Sequence, residues 1–126
     1  MDILSVAKDT EGVSGLYQLP VKEIAFMLYD KTINRVVVHT PDNNYYTMGT
    51  LAFWQEGLAK NGHRFMWVDR TNVVNIDCIK VMDTTRNIAY FDAIPNKNSK
   101  KCTLTRGRFL EVVERLGAFK TIQEHI

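Results

Sequence analysis

Phe65-Met66-Trp67-Val68-Asp69-Arg70-Thr71-Asn72-Val73-Val74-Asn75 decides how this chain is read. A polar, basic turn at Asp69, Arg70, Thr71 and Asn72 runs straight into an apolar pair and an asparagine. Such a stretch presents hydrogen-bond donors at a strand entrance and anchors them in a core. Asp and Asn cap their own backbone in turns, while β-branched Val suits a pleated, half-buried surface.

Working outward, most of the chain is predicted to form short strands. Ile3 to Lys8 and Gly15 to Leu19 flank a Thr10-Glu11-Gly12 turn and form a hairpin. Pro20 to Glu23 is a connector of about one helical turn, with proline suited to its start. Ile24 to Tyr29 and Asn34 to Thr40 are strands around Asp30-Lys31-Thr32, and Tyr45 to Met48 returns after the Pro41–Asn44 turn. Further strands are expected at Val73 to Ile76, Ile79 to Met82, Asn87 to Ile94 and Cys102 to Leu104. No internal repeat is evident.

Two segments change period. Leu51, Trp54 and Leu58 recur on one helical face, with Thr50 as cap and Gly62 as stop, although Gly57 weakens the interior. Phe109, Val112, Val113 and Leu116 recur at i, i+3, i+4 and i+7, and Gly117 follows as a C-terminal stop. Residues 1–126 are therefore expected to be a single domain, mainly β. Antiparallel sheets surround one core, two short helices pack at the side, and residues 118–126 form a tail that frays.

Composition bounds the function. No apolar run approaches the roughly 20 residues of a membrane helix, and the N-terminus lacks the features of a signal peptide, so a cytoplasmic location is the default. Cys78 and Cys102 are too far apart for a CxxC pattern; Cys78 is expected as a small buried hydrophobe inside a strand. His39, His63 and His125 lack metal-ligand spacing, and no phosphate loop, nucleophile elbow or HExxH occurs. No metal, cofactor or enzymatic activity is expected. Residues 1–59 carry four Lys/Arg against seven Asp/Glu, a balance of −3; residues 60–126 carry twelve against seven, a balance of +5. One face could therefore meet an anion, including nucleic acid.

The candidate binding groups are polar and basic residues at loops and strand edges, where binding groups on a β scaffold usually sit. They are Asn34 and Arg35; Asp69, Arg70, Thr71 and Asn72; Lys97, Lys100 and Lys101; and Thr105, Arg106 and Arg108. Arg can give two donors to guanine, Asn can pair with adenine, and Lys suits phosphate. A helix N-terminus near Gly107 adds backbone donors. Each arginine alone is as readily a solvated or salt-bridged surface group; together they favour an anion-binding face.

The opening stretch resembles the LytTR family of DNA-binding domains, found on bacterial response regulators, where the consensus is roughly Phe-x-Arg-Val-His-Arg-Ser-Tyr-Leu-Val-Asn. Phe65, Val68, Arg70, Val74 and Asn75 match, and Thr71 stands near Ser. Trp67, Asp69 and Asn72 replace the usual Arg, His and Tyr. The resemblance extends over most of the chain. Ile76-Asp77-Cys78-Ile79 looks like the family's following "L-D-x-I", and Thr103 to Phe109 looks like its "P-V-S-R-x-Y" element.

The resemblance implies an elongated β fold whose loops enter successive major grooves of a bent duplex, typically at direct repeats. By position, Asn34 or Arg35 would come from the first loop, Asp69 and Arg70 from the central one, and Arg106 from the last. A transcription regulator without an attached receiver is then expected, acting with a homodimer mate, a regulatory protein or an effector. Asp69 in place of His would be repelled by phosphate, though it could accept from cytosine N4 or orient Arg70; restoring His is expected to strengthen binding. The alternative is a LytTR-derived interaction or ligand-sensing module that has lost DNA binding, which Trp67 and Asp69 favour.

Overall fold

The computed structural model describes residues 2–117 and 120–122. Strands β1 (Ile3–Ala7) and β2 (Leu16–Pro20) form the expected first hairpin. A 3-10 turn at Val21–Glu23 leads into β3 (Phe26–Asp30), β4 (Arg35–His39) and β5 (Asn44–Thr47). Helix α1 spans Leu51–Lys60; β6 (Phe65–Trp67) and β7 (Asn72–Asn75) follow as a hairpin around the Asp69 turn. After a second 3-10 turn, Ile76–Cys78, come β8 (Val81–Asp83), β9 (Ile88–Tyr90), β10 (Lys101–Thr103), helix α2 (Arg106–Leu116) and β11 (Lys120–Ile122).

The strands make two sheets, one of seven strands in the order β2-β1-β5-β4-β3-β7-β6 and one of four in the order β10-β9-β8-β11. Every pairing is antiparallel except β11 with β8, which is parallel. Mostly antiparallel sheets with two helices is the architecture that the apolar patterning predicts.

Neighbouring residues on a strand point to opposite faces, and this places two cores on the larger sheet, where one core is expected from the sequence. Met27, Phe65 and Val73 join Val36, Val38 and Leu58 of α1 on one side. Their neighbours Phe26, Met66 and Val74 pack on the other, with Met82 and Phe91 of the smaller-sheet region and Phe109 of α2. The central strands are thus apolar on both faces, which explains runs such as Val36-Val37-Val38. On α2, Phe109 and Val112 are buried, and Val113 and Leu116 pack half-buried beside them, so the stripe faces the core. Thr50 and Thr105 cap α1 and α2, accepting from the amides of Phe53 and Arg108.

Four local expectations change. The strand expected at Val73 to Ile76 runs instead over Asn72–Asn75, and the one expected at Ile79 to Met82 begins only at Val81, because Asn75 ends β7 and a 3-10 turn follows it. Its Oδ1 accepts the Asp77 N–H at 3.2 Å and starts the 3-10 turn, while its Nδ2 donates to the Ile24 carbonyl at 2.9 Å. Cys78 therefore lies in that turn rather than in a strand, half-buried, its thiol donating to the Lys22 carbonyl at 2.9 Å. The Asn87 to Ile94 strand stops at Tyr90, where its three-residue partners β8 and β10 end; Phe91 turns into the core and Ile94 is exposed. Lys120–Ile122, assigned to a fraying tail, pairs with Val81–Asp83; Ala118, Phe119 and residues 123–126 lie outside the described residues.

Candidate nucleic-acid interface

Strand register gathers the turns that carry the candidate residues. In β3–β4 the last pair before the turn is Asp30 with Arg35. Leu28 pairs with Asn72, so the Asp69 turn emerges beside the Asp30 turn. Thr47 pairs with Val36 and Ala7 with Tyr46, which brings the β1–β2 turn and the start of α1 to the same end. From the smaller sheet, Leu104 donates to the Asn87 carbonyl at 2.8 Å, tying the β8–β9 turn to the entrance of α2. Thr105 and Arg108 line one shallow cleft with Asp69 and Arg70.

The central turn is built by Asp69. Its Oδ1 accepts the backbone N–H of Thr71 and of Asn72, each at 2.8 Å, and the Thr71 hydroxyl at 3.1 Å. The Asn72 side-chain amide donates to both carboxylate oxygens at 3.2 Å. Partial burial works to raise the Asp69 pKa, and these bonds outweigh it, holding the carboxyl below its ordinary value. The carboxylate therefore stays ionised and its lone pairs serve the turn, so its negative charge remains beside Arg70 while its oxygens brace the loop.

Arg70 stands at the tip of this braced turn. It is exposed and, among the described residues, has no hydrogen-bond or ion-pair partner. It lies between the Thr105–Arg108 cleft and a second cleft that it lines with Asn34, Tyr29, Trp67 and the Met48–Ala52 segment. Asn34 is exposed in the left-handed region, φ 56°, and its Oδ1 accepts from the Tyr29 hydroxyl. Arg106 donates from Nη1 to Asn87 Oδ1 at 2.6 Å, with its guanidinium 5.6 Å from the Phe109 ring centroid. Arg108 is held by Glu111 at 3.0 Å, and Glu111 also meets Arg115 at 3.3 Å.

The remaining candidates are placed differently. Arg35 turns along the sheet: its Nε donates to the Thr10 carbonyl at 2.9 Å and its Nη1 to the Asn34 carbonyl at 2.9 Å, with Glu11 at 3.9 Å. It latches the first hairpin. Lys100 lies at the far end of β4, donating from Nζ to the Asn43 carbonyl at 2.6 Å and to the Asn44 side chain. Lys101 pairs with Tyr90, at the end of β10 away from Asn87, and stands apart from the cluster too.

Sequence reading misses Tyr29 and Asn87. A signal for Asn87 exists: Asp30-Lys31-Thr32-Ile33-Asn34 and Asp83-Thr84-Thr85-Arg86-Asn87 share the pattern Asp-x-Thr-x-Asn. In both, the Asp Oδ1 accepts the Thr N–H, at 2.9 Å and 3.0 Å. In both, the Asn takes positive φ, 56° and 58°, and no other described non-glycine residue does. The central Asp69-Arg70-Thr71 uses the same opening bond.

The fold is thus a mainly-β domain with loop-borne cations gathered at one end. The family model of the LytTr DNA-binding domain matches residues 14–117, and the chain belongs to that family. Among solved structures, the chain is similar to the LytTr DNA-binding domain of a protein described as a methyl-accepting/DNA response regulator from Bacillus cereus. The two share 13% identity, with a TM-score of 0.66 over 94% of this chain and 99% of that one. At that identity the likeness bears on the fold. No curated protein matches the chain significantly. Among the described residues, no helix is long and apolar enough to cross a membrane.

Proposed function

We propose that this chain binds double-stranded DNA sequence-specifically and regulates transcription, with the turns around Asn34, Arg70 and Arg106 facing the duplex. Family membership supplies the class of partner. The observation that carries the placement is Arg70: exposed, unpartnered among the described residues, and set on a turn that Asp69 braces. A guanidinium held out by a rigid turn loses little freedom when it pairs with a guanine edge or a phosphate. Thr71 and Asn72 support that turn rather than reach out from it. Selection from a random duplex pool tests the reading. Enrichment of a defined motif, carried as a direct repeat, supports it; a pool that stays random contradicts it.

A second reading is favoured by one feature. Trp67, where the family usually has Arg, is half-buried and lines a cleft of about 590 Å³ with Tyr29, Asn34 and Arg70. That volume lies within the range of small-molecule sites. On this reading the domain senses a ligand and has lost DNA binding. The same selection separates the two, because only the first enriches a motif.

A further inference from the structure

We propose that Asn87 is a positioning residue for DNA recognition, orienting the guanidinium of Arg106 for a base or phosphate contact; this rests on the DNA-binding reading. Arg106 is exposed at the first position of α2, where a long side chain would ordinarily sample many rotamers. Two contacts restrict it. Asn87 Oδ1 accepts from Nη1 at 2.6 Å, and the guanidinium lies 5.6 Å from the centroid of Phe109, within cation–π range. Phe109 is itself 2% exposed and fixed in the core. A guanidinium has five N–H donors, so one bond to Asn87 leaves a fork free for a partner.

The backbone explains why an asparagine sits there. Residue 87 has φ 58°, a region that Gly and Asn tolerate best. Gly would satisfy the turn alone; Asn satisfies the turn and adds an acceptor. The twin turn shows the same double use, since Asn34, at φ 56°, accepts from Tyr29. The Asn87 carbonyl also receives the Leu104 N–H at 2.8 Å, so the acceptor is fixed relative to the segment that leads into Arg106.

The test is a double-mutant cycle on a selected duplex, with fluorescence anisotropy for affinity and thermal melting for fold. Asn87→Gly keeps the turn conformation and removes only the acceptor. It is expected to melt like the parent and to weaken binding by about two- to tenfold, the scale of ordering one flexible side chain. Arg106→Ala is expected to weaken binding more, and Asn87→Gly should have no further effect in that background. Equal Asn87→Gly losses in both backgrounds would overturn the proposal, as would an Asn87→Gly variant that binds like the parent. An Arg106→Ala variant with parental affinity would also overturn it. A parent protein that enriches no motif and binds no duplex would instead remove the DNA-binding reading itself.

Discussion

Asp69 Oδ1 accepts the backbone N–H of Asn72 at 2.8 Å, closing the turn from which Arg70 projects. The carboxylate that looked like a repulsive departure from the family is the brace of the central loop. Asp69→His removes the acceptor of several hydrogen bonds at once. It is expected to lower stability by about 1 kcal/mol and to weaken DNA binding, reversing the expectation drawn from the consensus. Denaturant melts and binding isotherms check this; tighter binding at unchanged stability would refute the bracing role.

Val112 is fully buried on α2, whereas Val113 is half-buried at the edge of the same core. Val112→Asp puts an unpaired carboxylate between α2 and the sheets, at a cost of several kcal/mol. Loss of a cooperative melt is expected. Val113→Asp is expected to be milder, because its carboxylate can reach water. Circular dichroism melts of the two variants check the order.

Gly57 is interior to α1, and a Cβ added there meets no heavy atom of the described residues within 4 Å. Interior glycine costs a helix about 1 kcal/mol relative to alanine. Gly57→Ala is therefore expected to raise Tm by roughly 2–5 °C, as read by calorimetry.

His39 stacks on Phe26 with ring centroids 4.3 Å apart, and its buried Nδ1 has no hydrogen-bond partner among the described residues. Burial foremost, then the Lys100 charge, pushes its pKa from 6.5 down to about 4, against a favourable Asn44 contact. The unfolded chain therefore takes up the proton first. The contribution of neutral His39 to stability is complete above pH 6.5 and is lost as pH falls from there through about 4. Asp30 and Asp69 lie below the ordinary carboxylate value of 3.8, so their contributions are lost only at lower pH. Melts between pH 7.5 and 5 are expected to show a falling Tm for the parent and a flatter response for His39→Gln.

The positions of strands and helices were legible wherever local chemistry decides them. Val36 to Val38, the capped helices and the α2 stripe are set by residues whose burial follows from their own pattern. Asn75 was legible only as an anchor, because its bond to Ile24 joins residues 51 positions apart. The same holds at the candidate site. Arg70 could be picked from its turn, but Arg35 and Lys100 look like free cations until the fold brings the Thr10 and Asn43 carbonyls to them. Asp69 shows the converse: a sequence gives the charge of a carboxylate, and only the turn geometry says what that charge is used for.

The most direct test of the central claim is the affinity of the parent and of Arg70→Ala for a selected duplex, measured across salt. The account predicts a steep fall with salt for the parent, with contacts to about four to eight phosphates and a log–log slope near −0.9 for each. It predicts that Arg70→Ala melts unchanged, loses about 1–3 kcal/mol of binding and relaxes preference at one base pair. An Arg70→Ala protein that binds with parental affinity and preference would contradict it, because the braced central turn would then not face DNA.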